Sequence, residues 1–184
     1  SVVIVGGGNG VTAARAARIT GENGEISIYE GGKESINEIK NTLDVNDINS
    51  SYKVHHAVVG KERDVYGGDS TNANKIEPKE LPECDVLELD CEGSEIDILE
   101  DLSIRPRVII VELHPYNFDT YPEKPLKILS EMGYEVVLRF GHDGIPLLED
   151  EYQTLLQNRY QWGEKILESG AQAPVVIAAV SEQY

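Results

Sequence analysis

Long apolar runs are missing from this chain. No stretch approaches the roughly 20 apolar residues that a bilayer-spanning helix requires, so no transmembrane helix is expected. Cysteine is scarce as well. Cys84 and Cys91 are the only two, and they flank one predicted strand whose rise of about 3.3 Å per residue sets them roughly 20 Å apart, too far for a disulfide. Without a close cysteine pair there is neither a zinc-ribbon nor a redox motif. Cations are outnumbered: 16 Lys and Arg face 33 Asp and Glu, for a formal charge of −17. Such a surface repels a phosphate backbone or an anionic membrane, so neither nucleic acid nor membrane is expected as a partner. The acidic residues are spread along the whole chain, the pattern expected of a halophile-type protein whose carboxylates hold hydration while high salt screens their repulsion. No internal repeat stands out, and no signal peptide precedes the first apolar run, so a cytoplasmic location is the expectation.

What is present suits one domain spanning residues 1–184. The first apolar run starts at Val2, and an N-terminal cap over the site is expected to lie outside this sequence. Short β-branched runs alternate with helical patterns, the mark of βαβ units and a parallel α/β sheet. Strands are predicted at Val2–Val5, Glu25–Glu30, Lys53–Val58, Asp85–Asp90, Arg107–His114, Tyr134–Phe140 and Val175–Val180. Helices are predicted at Val11–Ile19, Ser35–Leu43, Glu95–Leu102 and Pro125–Met132. The polar stretch Gly60–Pro82 reads as a surface loop or active-site flap. Asp143–Ala173 reads as an insertion before the last strand, with a helix over Asp150–Tyr160 and Trp162 beyond it.

The first candidate site follows strand one. Val-Val-Ile-Val runs into Gly6-Gly7-Gly8-Asn9-Gly10 and then a helix, a strand, tight turn and helix N-terminus that offers free N–H groups to an anionic part of a nucleotide-like ligand. About 20 residues on, Glu30 ends the second strand, where a carboxylate can accept hydrogen bonds from ribose hydroxyls. Gly6, Gly8, Asn9, Gly10 and Glu30 are therefore the candidate cofactor contacts. The pattern leaves NAD, FAD and S-adenosylmethionine open.

The second candidate site comes from strands four and five. In an open parallel sheet ligands sit beyond the C-terminal strand edge, so Asp90, Glu92, Glu112 and His114 should converge on one crevice. Glu95, inside the next helix near its positive end, is read as a helix-stabilising residue. His55 and His56 on strand three are read as packing or surface residues near an expected adenine position. Tyr116, Phe118 and Tyr121 are candidates for a sugar-binding face or for loop packing.

Asp85-x-Leu87-x-Leu89-Asp90-x-Glu92-Gly93-x-Glu95, followed by Glu112-x-His114, closely resembles the FkbM-like family of S-adenosylmethionine-dependent methyltransferases from the glycine loop to about Phe140. The resemblance implies a Rossmann-like class I methyltransferase sandwich: a seven-stranded, mostly parallel sheet with helices on both faces and an antiparallel last strand. It implies S-adenosylmethionine as cofactor, with Asp90 added to its contacts, and methyl transfer to a hydroxyl oxygen of a small molecule, sugar, glycan or secondary metabolite. Two positions depart from the family pattern. Ile4 stands where an acidic residue is usual, and Glu88 stands where a lysine is usual. His114 is the candidate general base, because an ordinary imidazole titrates near neutrality; Glu112 is its candidate orienting partner and Asp90 the second candidate base. The same cluster of Asp90, Glu92, Glu112 and His114 suits a divalent cation as an alternative. A NAD- or FAD-binding Rossmann domain of an oxidoreductase and a non-catalytic cofactor-binding module are the competing readings.

Overall fold

A computed structural model describes residues 1–61, 69–114, 123–141, 144–157 and 175–183. Their elements run β1 (Val2–Val5), α1 (Val11–Thr20), β2 (Glu25–Glu30), α2 (Lys33–Val45), β3 (Ser51–Val59), β4 (Asn74–Ile76), β5 (Val86–Leu89), α3 (Glu95–Glu100), β6 (Val108–Leu113), α4 (Lys124–Glu131), β7 (Tyr134–Phe140), α5 (Glu149–Gln157) and β8 (Val175–Ser181). They form one sheet in the order β4-β3-β2-β1-β5-β6-β8-β7. β8 runs antiparallel to both β6 and β7, and the other pairs are parallel.

β1 is an unbroken apolar run because it is buried on both faces. Val2 and Ile4 face α1 and α2 together with Ile28, Ile39 and Leu43. Val3 and Val5 face the opposite layer, where α3 and α4 supply Ile98, Leu99 and Leu129, and α5 supplies Tyr152. Ile39 and Leu43 are the inward stripe of α2, as their spacing predicts. Ile4, wholly buried beneath the two helices, explains how the chain accommodates an apolar residue at that position.

Among the described residues the sheet has eight strands, one more than the seven expected. The additional one, Asn74–Ile76, lies within the stretch read as a loop and extends the edge by pairing with Ala57–Val59. Three residues reading Asn-Lys-Ile carry no alternation to detect, and the strand exists because β3 offers it an open edge. A short 3-10 turn at Pro78–Glu80 follows. Trp162, Tyr116, Phe118 and Tyr121 lie outside the described residues.

Strand order reverses at β1, whose neighbours are β2 and β5. Such a switch point opens a crevice beyond the C-terminal strand ends, and it places the loops after β1 and β5 side by side.

Candidate functional site

The loop after β1 is shaped by three glycines with different tasks. Gly6 has φ +91, and a Cβ there would lie 1.6 Å from the backbone oxygen of Asp90, so only glycine lets the β1 and β5 loops touch. Asp90 N–H donates to Val5 O across this contact, and on the other side of β1 Gly6 N–H donates to Tyr29 O at the end of β2, each at 2.9 Å. Gly8 has φ +48 and open space where a side chain would begin. Gly10 is spent on helix packing: a Cβ there would lie 2.8 Å from Ile39 Cα in α2.

These loops line a cleft of about 280 Å³. Of the residues expected to bind cofactor, Gly6, Gly8, Asn9, Glu30 and Asp90 line it, and Gly10 does not. The Glu30 carboxylate is buried and accepts the Gly8 amide at 2.9 Å on one oxygen and the Gly32 amide at 2.6 Å on the other. Each carboxylate oxygen has a second lone pair available to a ligand hydroxyl. The cleft also takes in Tyr29, which stacks on His55 with centroids 4.6 Å apart. His56 Nε2 is 3.0 Å from Gly31 O. Both strand-three histidines thus brace the wall at the end of β2. Lys61, a residue that sequence reasoning passed over, lines the cleft and pairs with Asp97 at 2.6 Å.

The four polar residues of the second motif converge around His114, which is 2% exposed. Its Nε2 is 3.7 Å from Asp90 Oδ1, 3.7 Å from Glu92 Oε2 and 3.9 Å from Glu112 Oε1. Its Nδ1 is 2.9 Å from Glu95 Oε1. Glu95 is therefore the carboxylate bonded to the ring, and Glu112 stands at the opposite nitrogen. Glu95 matches the motif, yet its place at the start of α3 masked this role, because an acid there also suits the helix dipole.

The electrostatics sort these groups. Burial alone pulls the His114 imidazole down, but the Glu95 hydrogen bond and the charges of Glu95, Glu92 and Asp90 outweigh it and raise it to about 9. The ring holds its proton at neutral pH, which speaks against His114 as the base there. Burial and the neighbouring Glu112 push Asp90 up to about 7, against the pull of His114. Burial also raises Glu112. Glu88, one pleat deeper on β5, is raised to about 8 by burial and by Asp90 and Glu112, and its Oε2 finds no partner among the described residues. Cys84 and Cys91 are both free thiols, and burial pushes both upward, which makes them poor nucleophiles. Of the alternative metal set, Asp90, Glu92 and His114 offer ligand atoms within 4.8 Å of one another.

Comparison with known proteins agrees with this architecture. The sequence model described as "Methyltransferase FkbM domain" matches residues 6–136. None of the curated proteins matches the chain. Among solved structures, the precorrin-6y C5,15-methyltransferase of Geobacter metallireducens shares 14% identity, with 98% of this chain and 78% of that one covered at a TM-score of 0.54. The ribosomal protein L11 methylase of Lactobacillus delbrueckii subsp. bulgaricus shares 12%, with 98% and 70% covered at 0.53. The SAM-dependent O-methyltransferase of Thermotoga maritima shares 18%, with 98% and 59% covered at 0.51. At these identities the likeness is one of fold. No helix among the described residues is long and apolar enough to cross a membrane.

Proposed function

The chain belongs to the FkbM methyltransferase family, and on that premise we propose that it methylates a hydroxyl oxygen of a small molecule or glycan, with Asp90 as the general base. The observation that carries this reading is the position of Asp90, which lines the cofactor cleft and stands 3.7 Å from His114.

The residues present fit S-adenosylmethionine. Gly8 leaves room where any other residue would place a Cβ. Glu30 keeps acceptor capacity for ribose hydroxyls while its loop amides hold it in place. When bound, S-adenosylmethionine would supply an electrophilic methyl group, with S-adenosylhomocysteine as the leaving group.

The remaining task falls to the protein: to hold the acceptor in line, exclude water and take the hydroxyl proton. Asp90, with a carboxyl that ionises near neutral pH, is matched to receive that proton. The His114 imidazolium steadies the ionised form of Asp90 and Glu112 and donates no proton to the acceptor before transfer. A cleft flanked by Glu30, Asp90 and Glu92 disfavours a polyanionic acceptor such as RNA. The test is turnover with a panel of hydroxylated sugars, glycans and metabolites, read as S-adenosylhomocysteine release together with a 14-dalton gain on the acceptor. Methylation of an RNA or protein with the hydroxylated panel inert would overturn the proposal.

A further inference from the structure

We infer that Glu95 is the positioning residue of this site: through one oxygen it locks both the turn that carries Asp90 and Glu92 and the ring of His114. The inference rests on the methyltransferase reading for its consequence, but its geometry stands apart from any acceptor.

Glu95 is wholly buried at the first turn of α3. Its Oε1 accepts the Cys91 amide at 3.0 Å, the Gly93 amide at 3.1 Å and His114 Nδ1 at 2.9 Å. Its Oε2 is buried with no partner among the described residues. Helix stabilisation does not account for this arrangement. An acid stabilises the helix dipole without needing to be wholly buried, and interring a carboxylate with one orphan oxygen is unfavourable unless another requirement holds it there.

That requirement is visible in the backbone. Glu92 has φ +54 and Gly93 φ +108, two successive left-handed residues. A left-handed Glu is disfavoured by about 1–2 kcal/mol in itself, and the Glu95 oxygen ties down the amides on either side of it. The turn so held presents Asp90 and Glu92 at equal distances of 3.7 Å from His114 Nε2. Because Glu95 takes Nδ1, the ring has one orientation in which Nε2 faces that pair and Glu112. A carboxylate that fixes one imidazole nitrogen so that the other faces the site is a recurrent supporting device, and its loss costs about 10–100-fold where measured at metal-bound histidines.

The experiment uses the whole chain, with the His114 ring nitrogens and Nδ1–H followed by long-range nitrogen–proton NMR in wild type, Glu95→Gln, Glu95→Ala and Glu112→Gln. Wild type should show an Nδ1–H protected from solvent exchange. Glu95→Gln keeps an acceptor and should retain that signal at a shifted position; Glu95→Ala should lose it, and Glu112→Gln should leave it in place. With a working acceptor, Glu95→Ala should lower kcat about 10–100-fold with KM for S-adenosylmethionine within about 3-fold, Glu95→Gln should recover most of that loss, and Glu95→Ala should add little to His114→Ala. An Nδ1–H unchanged in Glu95→Ala, or one lost in Glu112→Gln alone, would overturn the inference. If Glu95→Ala does not fold, a Glu95→Gln spectrum identical to wild type overturns it instead. A chain that binds no S-adenosylmethionine defeats the functional reading while leaving the NMR result to stand or fall by itself.

Discussion

Asp90 Oδ1 lies 3.7 Å from His114 Nε2, and their protonation is inverted from the ordinary order: the histidine holds its proton to about 9 while the carboxyl ionises only near 7. The rate of methyl transfer should therefore be bell-shaped in pH. It rises as Asp90 ionises through about 7, and it falls above about 9 as His114 loses the charge that balances its carboxylates. Asp90→Asn should reduce kcat by about 10²–10⁴-fold and abolish the acidic limb. An Asp90→Asn variant with unaltered kcat removes Asp90 as the base.

The glycine loop yields a contrasting pair. Gly6→Ala drives a Cβ into the Asp90 carbonyl and should destabilise the fold by roughly 3–5 kcal/mol, in the range of the severest single changes. Gly8→Ala meets open space and should cost only about 1–2 kcal/mol for its left-handed backbone, while its methyl, placed in the cleft, weakens cofactor binding. Urea denaturation and cofactor titration of the two variants separate these effects. Equal stability losses would contradict the different tasks assigned to the two glycines.

Glu88 makes stability fall with rising pH. Its folded-state value, raised to about 8 by burial and then by Asp90 and Glu112, lies above that of an exposed glutamate. Its contribution is therefore complete below the ordinary carboxylate range and lost as pH climbs through about 8. Glu88→Gln should leave stability near pH 4 almost unchanged and raise it by about 2–4 kcal/mol at pH 9. Denaturation curves at the two pH values check the sign; a variant destabilised at pH 9 would contradict it.

The His114 imidazolium supplies the positive charge that a cation would otherwise bring to Asp90 and Glu92. Chelation and gel filtration should therefore leave turnover within about 2-fold. Activity that vanishes with chelation and returns with magnesium or manganese would instead assign Asp90, Glu92 and His114 to a metal.

Much of this was legible because the informative residues carry backbone or charge constraints. β1, β2 and β7 are read from the sequence to the residue, since their apolar runs end at glycine, acid or turn residues. The convergence of Asp90, Glu92, Glu112 and His114 follows from strand edges alone. β4 escaped because three residues have no period. Gly10 reads as a cofactor contact from spacing alone, and spacing does not show that a side chain there would meet α2. Glu112 reads as the orienting partner of His114 because it is near in sequence, whereas the turn after β5 brings Glu95, which reads as a helix-stabilising residue, to Nδ1 and leaves Glu112 facing Nε2.

Every step proposed for this site depends on S-adenosylmethionine being held in the cleft between the β1 and β5 loops through Glu30. Isothermal titration of S-adenosylhomocysteine and NADH into wild type and Glu30→Gln tests it most directly. Saturable binding of S-adenosylhomocysteine is expected, weakened about 10–100-fold in Glu30→Gln through loss of charged hydrogen bonds to the ribose, with no binding of NADH. Tight binding of NADH without S-adenosylhomocysteine, or equal affinity in the two proteins, would contradict it.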